Sequence, residues 1–120
     1  MINEKVYKKL IEVAKRQGKY EKGIITYSDL NYDCQLGIVF EGDAGGKEIG
    51  KILGEISEIE FKNKRPLISV VVIRKNLKPL MASHGFFNLA EELGLKSTNE
   101  DNQLFFAKEL GRVHDYWKNG

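Results

Sequence analysis

Hydrophobic residues recur at helical spacing along several parts of the chain. Near the N-terminus, Val6, Leu10 and Val13 repeat at intervals of three or four residues and predict a helix over residues 3–16. The same periodicity predicts further helices over residues 27–36, 47–60, 86–93 and 102–117. Two of these, 47–60 and 102–117, should direct the following side chains into a core: Ile49, Ile52, Leu53, Ile56 and Ile59; and Leu104, Phe105, Leu110, Val113 and Trp117.

Residues at the predicted helix ends support these assignments. Asn3 is suited to cap the start of the first helix, and Gly18 is suited to end it in a left-handed conformation. Thr26 is followed three residues later by Asp29, which is the capping-box arrangement at the start of a helix. The boundaries of the first two helices therefore have side-chain signals of their own.

A different pattern appears over residues 67–74, where β-branched residues predominate and apolar residues are nearly continuous. This composition predicts a strand that is covered on both faces. Together with the helices it predicts a helix-rich α+β fold with a small sheet, in which residues 1–120 form a single domain. A chain of 120 residues with 42% hydrophobic and 30% charged residues is of the size and composition of one such domain.

Composition also restricts the class of protein. Cys34 is the single cysteine, so no disulfide framework or multi-cysteine zinc cage is expected, and we expect Cys34 to be a small core residue. No apolar run is long enough to cross a bilayer, and the N-terminus lacks the pattern of a signal peptide. We therefore expect a cytoplasmic protein without a membrane partner, and the sequence proposes no cofactor and no metal.

The net charge of +2 conceals a strong segregation of charge. Residues 29–60 carry eight acidic and two basic side chains, whereas residues 62–78 carry six basic side chains and no acidic one. A basic stretch of this kind is typical of contact with phosphates or with an acidic surface. The alternative is a solvated strand end and turn that keep the protein soluble.

Three short patterns resemble catalytic motifs, and none predicts an enzyme. Residues 42–47 resemble a phosphate loop, but the spacing is one residue short, and Glu48 stands where Mg²⁺ requires a serine or threonine. Glu60-Phe61-Lys62 has the Glu-x-Lys form of metal-dependent nucleases, but it falls at a predicted helix end rather than on a strand. The two histidines, His84 and His114, have no nucleophile at a suggestive spacing. No catalytic residue is predicted.

The order of elements over residues 24–75 resembles the winged-helix half of alkyltransferase-like DNA-binding proteins. Thr26-Tyr27-Ser28-Asp29 is similar to their Thr-Tyr-Gly-Glu helix, and residues 47–53 are similar to their small-x-x-Val-Gly-x-x-Leu helix. Arg65-Pro66 opens the next segment, and Pro66 is similar to the first residue of the family's Pro-Cys-His-Arg or Pro-Trp-His-Arg strand, but the family's reactive cysteine and its histidine are absent. The resemblance therefore implies nucleic-acid binding by a helix-turn-helix, without alkyl transfer.

A second resemblance involves small uncharacterised bacterial and phage proteins. These combine an Arg-Pro-Leu-x-Ser-x-Val-Val motif, which begins here at Arg65, with a Gly-Phe-Phe-x-Leu-Ala-x-Glu-Leu-Gly motif, which begins here at Gly85. An Arg-Val-x-x-Tyr-Trp motif follows at Arg112. This similarity implies no function.

Two interpretations follow. In the first, the protein is a non-catalytic, winged-helix-like regulatory module that binds duplex DNA, with the helix over residues 47–60 in the major groove and the basic turn after residue 73 as a wing. The residues expected to contact nucleic acid are Thr26, Tyr27, Ser28, Lys47, Lys51, Lys62, Lys64, Arg65, Arg74, Lys75 and Lys78. In the second, it is a protein-interaction or regulatory module of a phage–host conflict system, whose segregated acidic and basic faces bind a partner or a second copy.

Overall fold

A computed structural model describes residues 2–39, 44–74 and 81–118, and in these residues the regular structure consists of five α-helices, two 3₁₀ helices and one pair of short strands. The helices, in chain order, are α1 (Glu4–Ala14), α2 (Tyr27–Asp33), α3 (Ala44–Lys62), α4 (His84–Glu92) and α5 (Asn102–Lys118). Strands β1 (Ile25–Thr26) and β2 (Val72–Ile73) pair in parallel, with Ile25 opposite Val72 and Thr26 opposite Ile73. This confirms the predicted helix-rich α+β domain with a small sheet. In the described part of the chain, no helix combines the length and the apolar character needed to cross a membrane.

The predicted caps at the helix starts are present. The Asn3 side chain accepts a hydrogen bond from the Val6 amide at 3.1 Å, and the Thr26 side chain accepts one from the Asp29 amide at 3.1 Å. Each bond satisfies a donor that the first turn of a helix leaves without an intrahelical partner. Gly18 has the predicted left-handed conformation, with φ of 57°, but its role as the end of α1 is wrong: α1 ends at Ala14, and Arg16, with φ of 58°, takes the left-handed conformation after it.

Residues 67–73 are buried as predicted, but most of them do not form a strand. Ile68–Val71 is a 3₁₀ helix, which we call the central segment, and the strand is confined to Val72–Ile73. Side chains from the helices bond to this region: the Leu67 amide donates to the Glu109 carboxylate at 2.8 Å, and the Ser69 hydroxyl is paired with the Ser57 hydroxyl at 2.7 Å. The Ser57 hydroxyl also accepts from the Ser69 amide at 3.4 Å, so two amides of this region bond to side chains of α3 and α5 instead of to a neighbouring strand.

The core is built around the central segment, which packs against α1, α3 and α5. Of the five core side chains predicted for helix α3, Ile49, Leu53 and Ile56 are buried, whereas Ile52 and Ile59 are only partly buried. Cys34 is also buried, as predicted, and burial raises the pKa of its thiol. The prediction for Leu104 is wrong, because this side chain is 67% exposed.

Candidate nucleic-acid interface

A groove of about 590 Å³ lies between α3 and α4 and brings together residues from separate parts of the chain. Tyr27 comes from the first turn of α2, Lys47 from the first half of α3, and Arg74 from the residue after β2. Ser83 and His84 add the start of α4. Three of the residues predicted from sequence therefore share one open concavity, which we call the α3–α4 groove.

Tyr27 presents a phenol to this groove. Burial raises the pKa of Tyr27, while the neighbouring Ser83 and Arg74 act in the opposite direction. The net shift is upward, so the hydroxyl stays protonated at neutral pH and can both donate and accept a hydrogen bond. This is a suitable group for contact with a phosphate or a base edge.

The wall that α3 contributes carries glycines instead of side chains. Gly46, Gly50 and Gly54 line the groove at intervals of four residues, which places them on one face of the helix. A Cβ added at any of them would have no other described heavy atom within 4 Å, apart from the neighbouring backbone of the helix. Within the described residues, packing therefore gives no reason for these glycines. Each costs about 1 kcal/mol of helix stability relative to alanine.

The charged groups around the groove are of both signs. Lys47 and Arg74 are exposed on its wall, Lys51 is exposed one turn further along α3, and none of the three forms an ion pair with another described residue. Glu92 from α4 lines the opposite side, and Glu48 is exposed beside Lys47. The cationic character is thus confined to the start of α3 and to Arg74.

The structure divides the basic stretch into two locations. Lys62, Lys64 and Arg65 line a second groove of about 460 Å³, with Pro66 and α5, at the far end of α3 from Lys47. Arg65 is engaged within the fold, because its guanidinium lies 2.8 Å from the buried Glu60 carboxylate. The remaining predicted residues are distributed as follows: the Thr26 hydroxyl caps α2, Ser28 is exposed on α2, and Lys75 and Lys78 lie outside the described residues.

Two buried carboxylates were not predicted from the sequence. Glu60 accepts hydrogen bonds from the Tyr7 hydroxyl at 2.6 Å and from Arg65, and Glu109 accepts from Leu67 and from Arg112 at 2.7 Å. Both residues are almost completely buried. For Glu60 the sequence did contain a signal: it follows Ile56 by four residues and so belongs to the inner face of α3.

His114 and Glu60, which belong to the candidate catalytic patterns, are both hydrogen-bonded within the fold. The His114 ring is buried, its Nδ1 accepts from Arg16 at 2.9 Å, and its Nε2 donates to the Gly23 carbonyl at 2.9 Å. Gly23 has φ of +72°, and a Cβ there would collide with this ring. The Glu60 carboxylate of the Glu-x-Lys pattern accepts hydrogen bonds from Tyr7 and Arg65. Over the described ranges, no three His, Cys, Asp or Glu side chains converge as metal ligands would.

Comparisons with protein-family models, with curated proteins and with solved structures find no match to this chain.

Proposed function

We propose that the protein is a non-catalytic DNA-binding module that contacts duplex DNA with the start of α3, Tyr27 and Arg74. The observation that carries this proposal is the common position of Tyr27, Lys47 and Arg74 on the α3–α4 groove, although they are distant in sequence. Two cations and a phenol at one concavity form the set of donors that proteins use toward DNA phosphates and base edges.

Gly46, Gly50 and Gly54, which we call the glycine face of α3, support the proposal because they leave this face of the helix without side chains. A helix enters a DNA groove only as closely as its side chains allow, and glycines remove that obstacle. Gly46 and Gly50 lie on the same part of α3 as Lys47 and Lys51, and they are exposed. The first two turns of α3 thus combine close approach with positive charge, and these are the turns with which recognition helices contact bases.

Duplex DNA binding in a series of salt concentrations tests this proposal. We expect the paired change Lys47→Ala and Arg74→Ala to weaken binding, and to reduce the slope of log affinity against log salt by about two, because about one counterion is released per phosphate contact. The matched control is Lys62→Ala with Lys64→Ala, which removes the same charge about 22 Å away along α3. The control should retain most of the affinity. Equal losses in the two pairs, or no binding at low salt by the unmodified protein, would contradict the proposal.

A further inference from the structure

Exposed apolar side chains are concentrated around α5. Six large hydrophobic residues are exposed among the described residues, and four of them lie on α5 or on the groove beside it. These four are Phe61, Leu95, Leu104 and Tyr116. A concentration of apolar surface on one side of a small protein is typical of an interaction site.

The second groove, which we call the α3–α5 groove, gives this surface a defined shape. Its apolar part is formed by Phe61, Pro66 and Leu95, and its volume is about 460 Å³. Lys62 and Lys64 lie at the same groove, are exposed, and form no ion pair with another described residue. The groove therefore combines an apolar lining with two positive charges that have no ion-pair partner among the described residues. Glu109 also lines it, and its carboxylate is bonded to Arg112 and to the Leu67 amide.

The exposed face of α5 also combines apolar and cationic side chains. Leu104, Lys108, Arg112 and Tyr116 follow one another at intervals of four residues, so they form one ridge along the helix. Arg112 also lines the α3–α5 groove, which makes ridge and groove continuous. Lys108 and Arg112 are paired with Glu100 at 3.0 Å and with Glu109 at 2.7 Å, yet both cationic side chains remain mostly exposed. The Lys108–Glu100 pair is largely exposed, contributes little stability and can exchange partners. Glu109 is buried, so Arg112 keeps its bond to that carboxylate, and the other N–H groups of its exposed guanidinium face outward.

We propose that the α3–α5 groove and the adjoining ridge of α5 bind an acidic amphipathic segment of a partner protein. Apolar side chains of that segment would cover Phe61 and Leu95, and its carboxylates would face Lys62, Lys64 and Arg112. A second copy of this chain fits less well, because antiparallel packing of two α5 ridges would oppose Lys108 with Arg112. Nucleic acid fits less well because phosphates would satisfy the cations and leave the apolar lining uncovered.

This surface is separate from the α3–α4 groove, so the proposal does not depend on DNA binding. The probe is a fluorescein-labelled synthetic peptide that forms a helix and carries leucine and phenylalanine at positions i and i+4 between glutamates. We expect fluorescence anisotropy to show binding, and Lys62→Glu with Lys64→Glu to weaken it about ten-fold, because complementary charge becomes repulsive. Lys47→Glu with Lys51→Glu makes the same charge change on the other end of α3 and should leave peptide affinity unchanged.

A charge-neutral variant tests the apolar part. Leu95 is 37% exposed, so Leu95→Ser should fold normally and still weaken the peptide complex. A scrambled peptide of the same composition should bind more weakly than the amphipathic one. The proposal is overturned if the peptide does not bind or if both charge variants weaken it equally. It is also overturned if Lys62→Glu with Lys64→Glu instead abolishes binding of an oligonucleotide, or dissociates a dimer of the protein seen by sedimentation.

Discussion

Glu60 has a structural role, although it lies close in sequence to Lys62 and Arg65, which are predicted to contact nucleic acid. One of its carboxylate oxygens accepts from Tyr7 and from two nitrogens of Arg65, and the other accepts no hydrogen bond from the described residues. A buried carboxylate is costly unless a cation and hydrogen bonds compensate it. Arg65 supplies that compensation. Its guanidinium is therefore bound to Glu60 and is less available to bind a ligand.

The first prediction at this scale concerns Tyr7. Burial, followed by the hydrogen bond and the charge of Glu60, raises the pKa of Tyr7 to about 12. The folded state then holds the phenol proton more tightly than the unfolded state, in which the pKa is about 10. The resulting stabilisation is complete below pH 10 and is lost as the pH rises toward 12. Tyr7→Phe should remove this part of the pH dependence of the free energy of unfolding.

Denaturant unfolding at several pH values between about 9 and about 11 measures this effect. Tyr32→Phe is the control, since Tyr32 is 83% exposed. Some decline should persist in Tyr7→Phe, because the pKa values of Tyr20 and Tyr27 are raised as well, mainly by burial. Identical slopes for Tyr7→Phe and the unmodified protein would show that the Tyr7–Glu60 contact does not control this titration.

At the scale of elements, α3 presents different chemistry on different sides. Ile49, Leu53 and Ile56 point into the core, the glycine face lines the α3–α4 groove, and the last turn carries Lys62 beside the α3–α5 groove. The core side follows from hydrophobic periodicity, as in any amphipathic helix. The glycine side does not follow from stability, because glycine weakens a helix interior.

The second prediction tests whether the glycine face of α3 contributes to DNA binding rather than to stability. Gly50→Ala should raise the free energy of unfolding by about 0.5–1 kcal/mol, because the new Cβ meets no other described atom within 4 Å and alanine favours the helix. If the glycine face contacts DNA, the same change should lower DNA affinity several-fold. Gly111→Ala in α5 is the control, since its Cβ also has open space. It should stabilise the protein equally and leave DNA binding unchanged. A Gly50→Ala protein that is more stable and binds DNA normally would remove the glycine face from the interface.

At the scale of the whole molecule, the central segment connects the helices. Ile68–Val71 packs against α1, α3 and α5, and all four of its residues are buried. A disturbance there affects three helices at once, so we expect it to act on the whole domain rather than locally.

The third prediction concerns this segment. Val71→Asp should prevent folding, because an unpaired buried charge costs several kcal/mol or more, against a total stability of about 5–15 kcal/mol for a domain. Val39→Asp makes the same chemical change at a residue that is 65% exposed and should leave the melting temperature nearly unchanged. Circular dichroism on both variants provides the measurement. A cooperatively folded Val71→Asp protein with a near-normal melting temperature would contradict the packing around the central segment.

Much of the candidate site was predicted as individual residues, but its arrangement was not. Local chemistry and the resemblance each indicate Tyr27, Lys47 and Arg74 as separate residues, and the sequence contains no indication that they meet at one groove. The run of basic residues over 62–78 predicts contact with phosphates or with an acidic surface, but not where each residue lies. The structure separates Lys62 and Lys64 from Arg74, because residues 67–73 pass through the core between them.

The sequence by itself determined the features that depend on neighbours a few residues apart. Helical periodicity specifies α1 and α3, and caps specify the starts of α1 and α2. Continuous apolar character specifies that residues 67–73 are buried. Tertiary structure decided the rest, because it depends on partners distant in sequence. The central segment is a 3₁₀ helix rather than a strand, and side chains distant in sequence bond the amides at its start: Ser57 of α3 accepts from Ser69, and Glu109 of α5 accepts from Leu67, which precedes the segment. A backbone bonded in this way can leave the sheet pattern, and no local propensity records it.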